Sequence, residues 1–199
     1  YLIKIDIFCL LRYALVCFIS LILPLLLLIA NALLLPFEIL NNKRYIRKTK
    51  EALEKADIIK IGITGTKGKT TTNYFIHNIL KNHLGYRPGI IATHSYYDGN
   101  VEGENHLTTP ESLELHKYLN TMSNCGLKYM SMEVSSQATK HDRVFGMNFD
   151  IGVFLNISED HISTLEHPDF EDYFSSKLEF LKLCNKVIVF NEGRVCPPV

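Results

Sequence analysis

Residues 62–72 read Gly-Ile-Thr-Gly-Thr-Lys-Gly-Lys-Thr-Thr-Thr, and this stretch predicts the fold of the chain around it. An apolar run with four isoleucines leads into it, from Asp57 to Ile63, as is typical of a buried strand. Apolar residues at helical spacing follow from Phe75 to Leu84. A glycine-rich turn between a strand and a helix brings backbone N–H groups and the positive end of a helix dipole close to an anion. The stretch therefore predicts a phosphate-binding loop.

The side chains of this loop suit a nucleoside triphosphate and its magnesium ion. Gly65 and Gly68 permit the tight turn. Lys69 is long enough to reach the outer phosphates, and the hydroxyl of Thr70 suits the metal. The general ATP-binding pattern has glycine at the position of Ile63, so this loop is a variant of it. A turn that only caps a helix is the alternative, which the Lys-Thr pair directly after the second glycine disfavours. The residues predicted to bind ATP are Gly65, Thr66, Lys67, Gly68, Lys69, Thr70 and Thr71.

Residues 1–40 differ in composition from the rest of the chain. No residue from Tyr13 to Ala30 is charged, and apolar residues continue to Phe37, whereas a helix needs about 20 apolar residues to cross a bilayer. The basic stretch Asn41–Lys50 marks the cytosolic side of such a span. The sequence thus predicts a single-pass anchor in the cell membrane, in contact with its lipid, and a catalytic domain in the cytoplasm. A buried core helix, or a re-entrant hairpin bent at Pro24, is the alternative.

From Asp57 onward, apolar runs typical of strands alternate with segments of helical periodicity. This alternation predicts an α/β fold, a mostly parallel sheet with helices on both faces, preceded by the transmembrane helix. The predicted strands are 57–63, 87–93, 128–134, 149–157 and 186–191, and the predicted loops are 94–107 and 135–148. The predicted domains are a membrane anchor over residues 1–40, a basic juxtamembrane linker over residues 41–56 and an ATP-binding domain over residues 57–199, truncated at its C-terminal end.

Composition excludes some classes of protein. Its 21 basic and 21 acidic residues give no net charge, so no nucleic-acid partner is predicted. The five cysteines are odd in number and lack metal-ligand spacing, which argues against a disulfide framework and fits a reducing cytosol. The chain begins with Tyr1 and ends soon after a predicted strand, which indicates a fragment.

Polar side chains follow two predicted strands at their carboxyl ends, where open parallel sheets bind ligands. Glu133 ends one strand, and Asn156, Asp160 and His161 follow another. A carboxylate and an imidazole beside a phosphate loop suit a magnesium ion. Taken singly, each residue has a structural explanation that is the more common one: Glu133 could cap a helix, and a lone histidine such as His161 is more often at the surface or in the core.

Several short motifs together resemble the central ATPase domain of the Mur ligase family, the ATP-dependent enzymes that join amino acids to cell-wall precursors. They are the phosphate loop, Thr108-Thr109-Pro110, Met132-Glu-Val-Ser-Ser-Gln-Ala138 followed by Arg143, Asn156-Ile-Ser-Glu-Asp160-His161, and Tyr173-Phe-Ser-Ser-Lys177-Leu. The resemblance runs from about Lys60 to Asn191. It is strongest to the MurE-like branch, the UDP-N-acetylmuramoyl-tripeptide synthetases.

This resemblance implies an amide-bond ligase that works through an acyl phosphate. It implies ATP and Mg²⁺ as cofactors, and a muramoyl-peptide-like substrate and an amino acid as partners. By resemblance, Lys69, Lys177 and His161 are catalytic. The residues implied to hold the metal are Thr70, Glu133, His161 and Lys177, and those implied to contact the substrate are Thr108, Thr109, Ser135 and Arg143.

Lys177 falls on the apolar stripe of the predicted helix 169–183, three residues after Phe174, four after Tyr173 and seven after Phe170. A lysine there is costly unless it is paired, is modified, or lies at the edge of the stripe and reaches water. The lysine of this motif resembles the one that Mur ligases carbamylate with carbon dioxide. The resemblance therefore implies that Lys177 carries a carbamate and shares a metal with His161.

The chain departs from the family pattern at Gln137, where histidine is usual, and at Ser163, where aspartate is common. Neither the uridine-nucleotide domain nor the amino-acid-selecting domain of the family is predicted within these 199 residues, so the fragment alone is expected to be inactive. A poly-γ-glutamate-type ligase is one alternative, and an ATP-binding membrane protein without ligase activity is another. The Thr-Thr-Pro and Glu-Val-Ser-Ser elements favour the muramoyl branch.

Overall fold

The computed structural model describes residue 16 and residues 18–160, 162–163 and 166–190. The chain divides into two compact units, with the boundary between Arg44 and Tyr45. The described helices are a π-helical turn at Phe18–Ile22, α1 (Leu23–Ala56), α2 (Lys69–Leu84), α3 (Ser112–Asn124), α4 (Ser136–Lys140) and α5 (Phe170–Lys182). The described strands are β1 (Ile59–Thr64), β2 (Gly89–Ile91), β3 (Tyr96–Tyr97), β4 (Glu102–Gly103), β5 (Tyr129–Glu133), β6 (Phe149–Phe154) and β7 (Cys184–Val189).

The larger unit contains a seven-stranded sheet in the order β4-β3-β2-β5-β1-β6-β7. The five strands from β2 to β7 in this order are parallel to their neighbours, whereas β3 and β4 pair antiparallel. The predicted α/β fold with a mostly parallel sheet is therefore confirmed. Strand β1 lies between β5 and β6, so the loop that follows it opens between the carboxyl ends of these two strands.

The apolar runs that predicted the strands form the core of this unit. Ile63, Met130 and Met132 have no exposed side-chain surface, which fits strands covered on both faces. Helix α3 contributes a stripe of fully buried residues at Leu115 and Leu119, at the spacing of four that helical periodicity requires. Burial of these side chains holds the sheet and its helices together, and it places the carboxyl ends of β1, β5 and β6 at one edge.

Two predicted loops are wrong because short elements lie within them. Residues 94–107 contain strands β3 and β4, and residues 135–148 contain helix α4. Strands of two residues are too short for an alternating pattern, so tertiary contacts decide them. One such contact is the bidentate pair of Arg87 with the carboxylate of Glu102 on β4, at 2.7 and 2.8 Å.

The smaller unit consists, in its described part, of the π-helical turn and the first portion of α1. Several of its apolar side chains are exposed, among them Leu25 and Leu28 at 56% and 67%. Among the residues that the structure describes, no helix is both long enough and apolar enough to span a bilayer. The membrane anchor predicted over residues 1–40 is thus not supported there, and residues 1–15 and 17 of it lie outside the described residues.

Candidate functional site

The loop between β1 and α2 turns at two glycines with backbone angles that other residues rarely adopt. The φ angle is 152° at Gly65 and 86° at Gly68, which is the N-cap of α2. At Gly65 a Cβ atom would also lie 3.0 Å from the Cβ of Leu155. The first turn of α2 leaves the N–H groups of residues 69–71 without partners inside the helix. These N–H groups and the positive end of the helix dipole make this end suitable for an anion.

Asn156, just beyond β6, holds the loop in place from the side. Its side-chain oxygen accepts hydrogen bonds from the N–H groups of Thr66 and Lys67, at 3.1 and 3.0 Å. Its side-chain amide donates to the carbonyl oxygen of Lys67 at 3.1 Å. The hydroxyl of Thr66 also lies 3.0 Å from the phenol oxygen of Tyr173 on α5. The loop is therefore tied to both β6 and α5 before any ligand arrives.

Two lysines from different helices converge on the carbonyl oxygen of Gly65. The Nζ atom of Lys69 donates to it at 2.9 Å, and the Nζ atom of Lys177 donates to it at 3.0 Å. The Lys177 side chain is only 2% exposed, so it does not reach water from the edge of its helix. Its Nζ atom lies 4.7 Å from the centre of the Tyr173 ring, a cation–π arrangement. This burial excludes the alternative that Lys177 lies at the edge of the apolar stripe and reaches water.

Burial changes the acid–base chemistry of both amines. Desolvation, together with the neighbouring charge of Lys69, lowers the pKa of Lys177 from 10.5 to about 7. Desolvation also lowers the pKa of Lys69, although Glu133 and Asp160 oppose that shift. A lysine with a pKa near neutrality exists to a large extent as the unprotonated, nucleophilic amine.

Glu133 is a fully buried carboxylate at the carboxyl end of β5. One of its oxygens accepts hydrogen bonds from the hydroxyls of Thr70 and Thr93, both at 2.9 Å, and the other accepts one from the N–H of Thr93 at 2.9 Å. These partners are neutral, whereas a buried charge is normally paired with a charge or a metal. Carboxylate and hydroxyl oxygens are the ligands that Mg²⁺ prefers. The residues present therefore fit a magnesium ion held through Glu133 and Thr70.

A cavity of about 370 Å³ lies beside the phosphate loop. Its walls include three of the four residues implied to contact the substrate, and both lysines. The lining residues are Lys69, Leu107, Thr108, Ser135, Ser136, Gln137, Arg143, Glu166, Tyr173 and Lys177. Its charged groups are three cations and one carboxylate, so the cavity favours an anionic ligand.

The remaining predicted site residues have different positions. Thr109 is fully buried and does not line the cavity: its hydroxyl donates to the backbone oxygen of Glu133 at 3.0 Å and accepts from the N–H of Ser135 at 3.1 Å. Thr109 thus positions its neighbours rather than presenting a hydroxyl to a ligand. His161 lies outside the described residues. In the part of the chain that is described, no group of three or more His, Cys, Asp or Glu residues is arranged to hold a metal.

Sequence reasoning missed several residues that shape this site. Thr93 was part of a predicted strand, yet it binds both oxygens of Glu133. Asn156 was noticed only for its place after a strand, and its role in holding the loop depends on a contact across 90 positions. His167, which is fully buried and bonded to Ser136, gave no signal of its own in the sequence.

Comparison with known proteins places residues 63–195 in one family model, the Mur ligase middle domain. A UDP-N-acetylmuramoyl-L-alanyl-D-glutamate–L-lysine ligase of Streptococcus mutans serotype c is 52% identical over 130 residues, which are 65% of this chain and 26% of that protein. A UDP-N-acetylmuramyl-tripeptide synthetase of Bifidobacterium longum is 45% identical over 126 residues, which are 63% of this chain and 24% of that protein. The chain thus spans about a quarter of the length of these curated relatives.

Solved structures show the same likeness. The structure of a UDP-N-acetylmuramoyl-L-alanyl-D-glutamate–2,6-diaminopimelate ligase matches with a TM-score of 0.55 and 27% identity, over 70% of this chain and 29% of that one. The MurF ligase from Thermotoga maritima in complex with ADP matches with a TM-score of 0.51 and 18% identity, over 76% of this chain and 32% of that one. At the lower identity the likeness concerns the fold alone.

Proposed function

Because this chain belongs to the Mur ligase family, we propose that it forms the ATP-binding part of an ATP-dependent acid–amino acid ligase. The proposed reaction adds an amino acid to a muramoyl-peptide-like cell-wall precursor. The observation that carries this proposal is the meeting of Lys69 and Lys177 at the carbonyl oxygen of Gly65, beside a cation-rich cavity. Such a site suits a reaction in which a substrate carboxylate attacks a phosphate, because both reactants are anions.

The proposed reaction has two steps. A carboxylate of the substrate first attacks the γ-phosphate of ATP and forms an acyl phosphate, while ADP leaves with the bridging oxygen. An amine then displaces the phosphate through a tetrahedral intermediate. In this scheme the N–H groups at the start of α2 bind phosphate oxygens, and Lys69 neutralises charge on the outer phosphates. Arg143 balances the charge of the substrate carboxylate in the cavity. The work of the protein is to position two anions and to neutralise their repulsion.

A bound Mg²⁺ would neutralise charge on the phosphates of ATP. On this chain the hydroxyl of Thr70 and the carboxylate of Glu133 would hold it, since both are already 2.9 Å apart at the end of the loop. Thr93 keeps the carboxylate oriented toward α2 through two hydrogen bonds. The sharing of this metal with His161 remains a prediction, since His161 lies outside the described residues.

The proposal extends to a carbamate on Lys177. Its pKa of about 7 leaves roughly half of the amine unprotonated at neutral pH, and only the unprotonated amine reacts with carbon dioxide. The product is an anion, which would relieve the repulsion between the two neighbouring ammonium groups of Lys69 and Lys177. In the complete gene product, Lys177→Ala should abolish ligation, and short-chain carboxylic acids should restore part of the rate. Full activity of the variant without any added acid would refute this role.

The names of the relatives support a narrower proposal about the substrate. The Streptococcus mutans relative is named as a lysine-adding ligase and the Bifidobacterium longum relative as a tripeptide synthetase. We therefore propose the MurE-like branch, with a muramoyl dipeptide as the acceptor. Assays of the complete gene product with separate amino acids would identify the one added. If ATP binds but no amino acid is incorporated, the chain is a nucleotide-binding protein without ligase activity.

Magnesium-ATP binding tests the phosphate loop directly. Lys69→Ala should weaken binding measured by titration calorimetry by about tenfold or more, because a charge-assisted contact worth about 1.5–3 kcal/mol is lost. Lys81→Ala is the matched control, because Lys81 lies in the last turn of the same helix. Equal affinities of the Lys69→Ala protein and the unaltered protein would refute the assignment of the loop.

A location at the cytoplasmic face of the cell membrane is a separate proposal. Its support is the apolar composition of residues 1–40 and the basic stretch Asn41–Lys50 after them. The exposed side chains of Leu25 and Leu28 fit contact with lipid. Membranes of cells that express the protein should retain it after an alkaline carbonate wash. Complete release into the soluble fraction would contradict the proposal.

A further inference from the structure

A buried histidine outside the phosphate loop connects the cavity wall to α5. His167 has no exposed side-chain surface. Its Nδ1 atom lies 2.6 Å from a carboxylate oxygen of Asp172, and its Nε2 atom lies 2.9 Å from the hydroxyl oxygen of Ser136. Ser136 is 6% exposed and lines the cavity. Nothing in the proposed chemistry of the phosphate loop uses these three residues.

The chemistry of the partners decides where the hydrogens lie. An ionised carboxylate can only accept, so the Nδ1–H of His167 donates to Asp172. Hydrogen bonds from Lys140 and His167 lower the pKa of Asp172, which keeps it ionised. In a neutral imidazole the other nitrogen is then an acceptor, so Nε2 of His167 accepts the hydroxyl hydrogen of Ser136. The Ser136 oxygen is left with its lone pairs and no hydrogen to offer the cavity.

This makes Ser136 an acceptor in a cavity dominated by donors. Lys69 and Arg143 present only N–H groups there, which suit the carboxylate and phosphate of the acid substrate, and Glu166 adds one carboxylate to the wall. The second substrate of the proposed ligase is an amine, which those cations would repel or leave unbound. An oxygen with free lone pairs, held in a fixed direction, is the group that an amine N–H requires.

We propose that Ser136 accepts the hydrogen of the attacking amine, with His167 and Asp172 as the positioning residues that hold it in this role. The inference rests on the proposed ligase function. As the amine nitrogen bonds to the acyl carbon, its proton passes to the Ser136 oxygen while the hydroxyl proton of Ser136 passes to Nε2 of His167. The imidazolium formed is paired with Asp172, and it returns the proton to water after phosphate has left with the electron pair of the broken carbon–oxygen bond.

Charged and aromatic side chains from two helices surround His167. Asp172 and Tyr173 face it from α5, with the Tyr173 ring 5.2 Å away, and Glu166 precedes it in the chain. From α4, the Nζ atom of Lys140 lies 2.6 Å from the same oxygen of Asp172 that binds His167. Lys140 and His167 therefore share one oxygen of Asp172, and together they fix the orientation of this carboxylate.

The test separates the two steps of ligation in the complete gene product. Acyl phosphate formation is measured in the absence of any amine, as isotope exchange between bridging and non-bridging oxygens of ATP. Amine attack is measured as the rate at which the peptide product appears. Ser136→Ala should lower the ligation rate by about 100-fold, within the usual contribution of a positioned proton acceptor, and should leave the isotope exchange unchanged. An equal loss in both assays would show a structural role and overturn the proposal.

His167→Gln should reproduce the effect of Ser136→Ala, and the double variant should be no slower than either single one. His116→Gln is the control, since His116 is equally buried but bonds only a backbone oxygen, that of Phe145.

The outcomes also separate this inference from the function on which it rests. If the unaltered protein exchanges isotope and makes peptide, and Ser136→Ala does so at the same rate, the role of Ser136 is refuted and the ligase stands. Full ligation activity of His167→Gln likewise refutes the role of His167. If the unaltered protein makes no peptide with any amino acid, the ligase function itself is refuted, and the inference with it.

Discussion

Lys177→Met is expected to stabilise the protein near neutral pH and to destabilise it in alkali. Burial lowers the pKa of Lys177 from 10.5 in an unfolded chain to about 7 in the folded protein. The unfolded chain then binds more protons between these two values, so stability rises with pH across this window. The cost of burying the ammonium is present in full below pH 7 and disappears as the pH approaches 10.5. Methionine keeps the apolar length of the side chain and removes the amine.

The magnitude follows from the shift. A fall from 10.5 to about 7 corresponds to about 5 kcal/mol at pH 7 and below, and to about 3 kcal/mol at pH 8. The side chain is 2% exposed, so solvent screening does not reduce this figure much. The variant loses the hydrogen bond to the oxygen of Gly65, which is worth about 1 kcal/mol. The net expectation is a gain of about 2 kcal/mol at pH 8 and a loss of about 1 kcal/mol near pH 10.5.

Urea unfolding of the variant and the unaltered protein at several values between pH 7 and pH 10 measures this difference. Carbon dioxide is excluded, because a carbamate would replace the ammonium with an anion. Lys182→Met is the control on the same helix, because Lys182 is 68% exposed. The difference in free energy of unfolding between this variant and the unaltered protein should not change with pH. A difference between Lys177→Met and the unaltered protein that stays constant over this range would refute the reasoning from burial.

Three further changes test the packing around the site. Burial lowers the pKa of His77 to about 4, so the free energy of unfolding should fall by up to about 3 kcal/mol as the pH falls from 6.5 to 4. His77→Leu should remove this pH-dependent loss of stability, and urea unfolding that shows the same loss in the variant would contradict the reasoning. Gly62→Ala should cost about 1–3 kcal/mol in thermal unfolding, because its Cβ would lie 2.7 Å from Phe180. Asn156→Ala should cost about 1–3 kcal/mol in urea unfolding and weaken ATP binding, since the N–H groups of Thr66 and Lys67 lose the side-chain oxygen that accepts from both; unchanged affinity would contradict this.

The local features of the sequence predicted the glycine turn between β1 and α2 and the mostly parallel sheet well. A glycine turn between an isoleucine-rich strand and an amphipathic helix is specified by neighbours in the chain, and the structure places β1, Gly68 and α2 accordingly. Long strands and helices have enough residues for their periodicity to be read. The two-residue strands β3 and β4 do not, and for this reason the sequence predicted a loop where the structure has an antiparallel hairpin.

The chemistry of the site depended on contacts that only the folded chain makes. The sequence alone established that Lys177 lies on an apolar stripe, but not whether its amine reaches water. The tertiary structure decided this by placing α5 over the loop, so that the amine meets Gly65 across 112 positions and loses its hydration. The pairing of Ser136 with His167, 31 positions apart, depends in the same way on how α4 packs against α5. The protonation of a buried group depends on its solvation and on nearby charges, and both are properties of the packed structure rather than of any local stretch of sequence.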